Sequence, residues 1–268
     1  MATLPAPPTF SSDGGHWYTA SGVPCHRIAK ANGDGERNTT LRDAKKLNLF
    51  PSVTTVLSIL DKQQLGKWKQ EQVANAAYEW IKSGAEMPAK TDFIKALIAN
   101  SFQSVTAAAD LGTSIHDALN AYFTGEEVPL EYQDYTNPVI EWMKEAGVHP
   151  HASEQTLVNK EYGYAGTIDF AGIVKCAPVV YDFKTRKTRP GEPCKPRDHE
   201  PMQIAAYAKA YWGDQFPKVW GGNIYISTTE PGRMEVVRYN PAKVQAEWQK
   251  FEAILGTWRL VKNYDPRA

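Results

Sequence analysis

The chain has 268 residues, with 30 Lys plus Arg against 30 Asp plus Glu, so its formal charge is zero. Hydrophobic residues are 42% and charged residues 22%, a globular balance that excludes a disordered tail, a collagen-like fibre or a coiled coil and suits one large or two small domains. Neutrality means that a polyanionic partner has to be met by a local basic surface; no apolar run reaches the roughly 18–20 residues of a membrane helix, and MATLPAPPTFSSDGG lacks the charged start and apolar core of a secretory signal, so no membrane partner and a cytoplasmic location are expected.

In chain order, residues 1–15 read as a loose Pro-rich arm, and 16–30 as two short strands about a Ser21–Gly22 turn. Residues 31–48, polar and carrying Asn32-Gly33-Asp34-Gly35, read as an exposed loop. Ser52 caps a helix that starts with VTTVLSIL, and helical patterning continues over 63–83 and 91–123, weakened or broken near Gly112. A helix over 134–147 ends at Gly147. The period then changes: Glu154–Lys160, Gly166–Val174 and Val179–Thr185 read as strands, 186–198 as a loop, 199–212 as a helix, 219–228 and 233–239 as strands, and 241–262 as a last helix. The expected fold class is mixed α/β (α+β), a small mixed sheet flanked by helices. Cys25, Cys176 and Cys194 are far apart with no C-x-x-C, so neither an iron–sulfur cluster, a zinc ribbon nor a disulfide framework is expected.

The chemistry concentrates in YAGTIDFAGIVKCAPVVYDFKTRKT, residues 164–188. Alternate strand residues share a face, so Asp182 and Lys184 point one way while Tyr181 and Phe183 turn to the core. A turn near Lys175–Pro178 folds the two strands into a hairpin that brings Asp169 within one ion's reach of Asp182. Two carboxylates on apolar strands repel, and burial sharpens the cost; a divalent cation removes it, and oxygen ligands favour Mg²⁺ or Mn²⁺. A surface ion pair between Asp182 and Lys184 also satisfies D-x-K alone. His116 sits beside the helical apolar stripe Leu111, Ile115, Ala118, Leu119 and Tyr122, where it can offer a nitrogen ligand or serve as a hydrogen-bonded packing residue. Gln203 and Tyr207 share a helix face, suited to a phosphate or to Lys184, or simply to an amphipathic helix with Tyr207 in the core.

In order along the chain, GTSIHDAL (112–119), Glu154, GTIDF (166–170), DFKT (182–185) and QIAAY (203–207) resemble the PD-(D/E)XK nuclease superfamily, in particular its RecB-type branch with phage recombination exonucleases and mitochondrial genome-maintenance exonucleases. The resemblance covers about half the chain, roughly residues 105–240. The residues themselves read as an N-terminal arm and β-hairpin over 1–50; the segment over 51–104 resembles the helical lead-in of phage-type members, and its aromatic helix reads as one able to wall in DNA. The resemblance implies a restriction-endonuclease-like core over 105–268 with the C-terminal helix. It implies that His116, Asp169, Asp182 and the backbone carbonyl of Phe183 ligate Mg²⁺ or Mn²⁺, that Lys184 is the catalytic lysine, and that Gln203 and Tyr207 are an accessory pair. Glu154 matches the acidic residue that opens the first strand, acting behind the ligands or through water on a second ion. The four-cysteine cluster of some relatives is missing, as is any G-x-x-x-x-G-K-[ST] motor motif. The implied activity is a DNA exonuclease of recombination, repair or replication that leaves 5′-phosphates, in the host cytoplasm for a phage enzyme, with a single-strand annealing or single-strand-binding protein as a candidate partner. A non-cleaving DNA-binding or assembly module and a structure-selective endonuclease are the alternatives.

From Lys184 to Arg197 there are six basic residues, Lys184, Arg186, Lys187, Arg189, Lys195 and Arg197, against one acid, Glu192. Of these, Arg186, Lys187, Arg189, Lys195 and Arg197, together with Thr185, are expected to contact DNA phosphates without reading sequence, although a charge run is often only a solvated face. The helix near 63–82 carries Lys67, Trp68, Lys69, Tyr78 and Trp80, a set suited either to stacking on bases or to packing on its own domain. Cys25-His26 lacks the matching acid of a thiol nucleophile.

Overall fold

The computed structural model describes residues 15–60 and 63–268, with the backbone alone for 63–65, 68–69 and 100–108. Apart from Gly15, the expected N-terminal arm lies outside the described residues. The chain divides into two units, one taking in 60–113 and the other 15–59 and 114–268.

The larger unit starts with β1 (Trp17–Tyr18), β2 (Arg27–Ala29), β3 (Glu36–Asn38), α1 (Leu41–Leu47), β4 (Phe50–Pro51) and α2 (Val53–Leu57). β1 and β2 do not pair with each other as expected: β1 pairs with β4 and β2 with β3, while the turn at Ser21–Gly22 closes through an isolated Tyr18–Pro24 bridge. Residues 31–48 are not all loop. Thr40 and Asp43 form a reciprocal capping box that starts α1, a signal masked by the surrounding Gly- and Asn-rich run. Ser52 caps α2 as expected, its hydroxyl accepting from the Thr55 N–H.

The smaller unit contains α3 (Gln63–Lys82) and the first part of α4 (Lys90–Thr124), a helix that runs unbroken through Gly112. Trp80 meets the Phe93 ring edge-on at 5.6 Å, so it packs within its own unit. Lys67 and Tyr78 are exposed; the side chains of Trp68 and Lys69 lie outside the described residues.

From Ser114 onward, α4 belongs to the larger unit, followed by α5 (Gln133–Glu145), β5 (Val148–Asn159), β6 (Tyr164–Val174), β7 (Ala177–Arg186), α6 (His199–Trp212), β8 (Trp220–Ser227), β9 (Met234–Tyr239) and α7 (Pro241–Lys262). The sheet runs β5-β6-β7-β8-β9 in space, antiparallel throughout except for the parallel β7–β8 pair. The mixed α/β expectation is met, and the boundaries of α6 and α7 match the sequence reading.

β7 is central and covered on both faces, which explains its continuous apolar run VVY before Asp182. Crossover helix α6 packs so tightly on β8 that a Cβ on Gly221 would lie 2.4 Å from the Ile204 side chain. Trp248, Phe251, Leu255 and Trp258 of α7 are buried at successive turns. Phe123 of α4 stacks near Phe183 and tilts against Phe170, which fixes α4 over β6 and β7.

Candidate metal centre

The β6–β7 hairpin turns through Lys175 and Cys176, both at positive φ, and its register pairs Phe170 with Tyr181. One step further, Asp169 and Asp182 approach each other, and Asp169 Oδ2 accepts the Phe183 N–H at 2.8 Å. Alternation does what the sequence reading expects. Ile168, Phe170, Tyr181 and Phe183 are core residues, while Lys184 Nζ lies 2.6 Å from Asp182 Oδ2. Burial separates this pair from a surface salt bridge: Asp182 is only 1% exposed.

Two further residues join from other elements. His116, held on α4 by buried Ile115 and Leu119, sets its ring edge-on to Phe183 at 5.9 Å. Its Nδ1 lies 3.4 Å from Glu154 Oε1 and 3.6 Å from Asp169 Oδ2. One ligand atom from each of His116, Glu154 and Asp169 lies within 4.8 Å of the other two, a spacing fit for a metal ion. Glu154 therefore stands beside His116 and Asp169 rather than behind them. It gets there by an irregular path: the β5–β6 register shifts between Pro150 and Ala152, and Glu154 itself has φ 46°, a left-handed conformation costly for a non-glycine residue inside a strand.

The electrostatics are those of a site with excess negative charge. Burial, with Asp169 alongside, lifts Asp182 to about 6 in spite of Lys184. Burial likewise raises Asp169, against the pull of His116 and Lys184. Burial opposes a charge on His116, but the Glu154 hydrogen bond and the Asp169 and Asp182 carboxylates outweigh it and raise the imidazole to about 9. The same two carboxylates raise Lys184 against its own burial, so its amine stays cationic. Asp182 Oδ1 is buried with no hydrogen-bond partner among the described residues. A buried carboxylate oxygen left bare is costly. That orphan, and the nitrogen–oxygen donor set of His116, Glu154 and Asp169, fit a hard divalent cation such as Mg²⁺ or Mn²⁺.

Gln203 and Tyr207 lie together, buried, with Gln203 Nε2 donating to the Tyr207 hydroxyl at 3.3 Å. The Asp169 and Asp182 charges add to burial in holding Tyr207 protonated. Gly166 of the GTIDF segment is required here: a Cβ would sit 2.8 Å from the Tyr207 ring. The basic segment divides. Lys187, Arg189, Lys195 and Arg197 are exposed and Thr185 half-buried. Arg186 turns inward instead, pairing with Glu200 at 2.5 Å, donating to the Lys195 carbonyl and lying over the Tyr225 ring.

The sequence reading overlooked Asn223, Tyr239, Glu200 and Tyr225, all buried around the site. The available signal was the polar Asn223 inside the apolar strand GGNIYIS, since a buried amide needs partners.

No protein-family model matches the chain, and no curated relative does. Among solved structures, a provisionally named exonuclease from Eubacterium rectale is 12% identical, with a TM-score of 0.39 over 57% of this chain and 67% of its own. An alkaline exonuclease from Laribacter hongkongensis is 15% identical, with a TM-score of 0.31 over 62% of this chain and 85% of its own.

Proposed function

We propose that the chain is a Mg²⁺- or Mn²⁺-dependent deoxyribonuclease of the RecB-type PD-(D/E)XK kind, acting from DNA ends and leaving 5′-phosphates. The observation that carries the reading is the meeting of His116, Glu154 and Asp169 at metal-ligand spacing, together with buried Asp182 and the cationic lysine in contact with it. His116, Asp169, Asp182, the Phe183 carbonyl and Glu154 would hold the ion. When bound, a divalent ion supplies acidified water and withdraws charge from the phosphoryl and leaving oxygens.

The chain's own residues perform the rest. Lys184 is held cationic, so it donates hydrogen bonds to the attacking water or to the developing phosphoryl charge and does not act as a base. Tyr207, a protonated phenol linked to Gln203, orients the scissile strand through its hydroxyl. Thr185, Lys187, Arg189, Lys195 and Arg197 meet backbone phosphates. Arg186 organises their loop through Glu200 and the Lys195 carbonyl.

The test is digestion of linear and covalently closed circular duplex DNA with Mg²⁺. Loss of the linear form to 5′-phosphorylated nucleotides, with the circle intact, is the expected result. A nicked circle identifies a structure-selective endonuclease, and DNA binding without cleavage identifies a non-cutting module; either outcome overturns the reading.

A further inference from the structure

Asp182 offers two carboxylate oxygens, and the protein treats them unequally. Oδ2 takes Lys184 Nζ at 2.6 Å and also accepts from Asn223 Nδ2 at 3.0 Å, whereas Oδ1 has no partner among the described residues. Asn223 sits directly beside Asp182 in the parallel β7–β8 register. Its own amide oxygen accepts from the Tyr239 hydroxyl at 2.7 Å, across the β8–β9 pair. Asn223 is 0% and Tyr239 6% exposed, so water does not substitute for either bond.

The direction of this relay follows from donor and acceptor capacity. An ionised Asp182 only accepts, so the amide has to present its N–H₂ to it. That leaves the amide oxygen facing β9, where a phenol kept protonated by burial donates to it. Tyr239 therefore selects the orientation of Asn223, and Asn223, with Lys184, pins one oxygen of Asp182.

We infer that Asn223 and Tyr239 are positioning residues for the metal centre: they lock the Asp182 carboxylate by its Oδ2 and so aim the bare Oδ1 at the ion. The inference rests on the metal-dependent reading above. It assigns work to two strands, β8 and β9, that carry none of the ligands. Partners behind a metal ligand fix its orientation, and losing one characteristically lowers metal affinity by about 10–100-fold.

The test is calorimetric titration of the full chain with Mn²⁺ alone, at one pH and without DNA, for the wild type, Asn223→Leu and Tyr239→Phe, each checked for native circular dichroism. Asn223→Leu is expected to bind about 10–100-fold more weakly, and Tyr239→Phe about threefold more weakly, since the amide remains but loses its orienting donor. Because Asn223→Leu buries a new apolar group and can misfold, Tyr239→Phe carries the test if it does. A second readout needs no metal. In the ¹⁵N spectrum of the apo protein, the Asn223 side-chain amide protons should be shifted and slow to exchange, with the protection reduced in Tyr239→Phe. Mn²⁺ affinity within twofold of wild type in folded variants, or a freely exchanging Asn223 amide, overturns the inference. Failure of the wild type to bind Mn²⁺ at all overturns the metal-dependent reading instead, and the amide exchange still decides whether the relay exists.

Discussion

Asp182 and Glu200 are buried alike, 1% and 2% exposed, and are held in opposite ways. Glu200 accepts from Arg186, from the Tyr225 hydroxyl and from the Arg197 N–H, and although burial works against its charge these partners together lower its pKa. Asp182 shares the Lys184 and His116 charges with Asp169, keeps one oxygen bare and is lifted to about 6. One carboxylate completes a network that ties the start of α6 to the end of β7. The other is left short of positive charge in the folded chain. Complete satisfaction marks an acid that holds structure; a standing deficit of cation marks one waiting for a ligand.

The comparison can be broken most severely at Asp182. Asp182→Asn should lower Mg²⁺-dependent cleavage by about 10³-fold or more while the melting temperature is kept or raised, because a repulsive charge is removed. Thermal unfolding beside a nuclease assay reads both; a variant that melts well below the wild type would place Asp182 with Glu200 as a structural acid.

Glu200→Gln should do the reverse. Leaving the Arg186 guanidinium half-buried without its counter-charge costs about 3–5 kcal/mol, to be read from denaturant midpoints. A loss under about 1 kcal/mol would show that the network adds little beyond packing.

Protons sharpen the same contrast. His116 is raised to about 9 in the metal-free chain and has to lose its proton to become a ligand. Metal affinity should therefore rise by about tenfold per pH unit as pH climbs toward 9 and level off above it. Below about pH 6, protonation of Asp182 steepens the fall. Calorimetry with Mn²⁺ at pH 7 and pH 8 checks this; equal affinities would remove His116 from the ligand set.

The smallest effect concerns the N-terminal elements. Thr40→Ala removes the capping box of α1 and should cost about 1 kcal/mol without altering cleavage. Chemical denaturation and the nuclease assay together test that independence.

Much of the centre was legible because it is local. The two-residue spacing of Asp182 and Lys184, the short hairpin back to Asp169, and the helical stripe flanking His116 are all periodic signals of single elements. Glu154 could be named but not placed, since its position depends on a shifted β5 register and a left-handed residue that no alternation rule anticipates. Asn223 and Tyr239 were out of reach for another reason. Asn223 reaches Asp182 across a parallel pairing that a whole helix separates in sequence, Tyr239 reaches only Asn223 from the next strand, and sequence periodicity carries no information on which strands become neighbours. Arg186 shows the same limit in reverse. In sequence it is one member of a basic run; in the fold its charge is answered by Glu200.

The most direct test of the account is release of nucleotides from end-labelled linear DNA in Mg²⁺, comparing the wild type, the wild type with chelator, and Lys184→Ala of unchanged circular dichroism. The account predicts cleavage that chelation abolishes and that Lys184→Ala reduces by at least about 10²–10³-fold. Undiminished cleavage by Lys184→Ala, or cleavage indifferent to chelation, would contradict it.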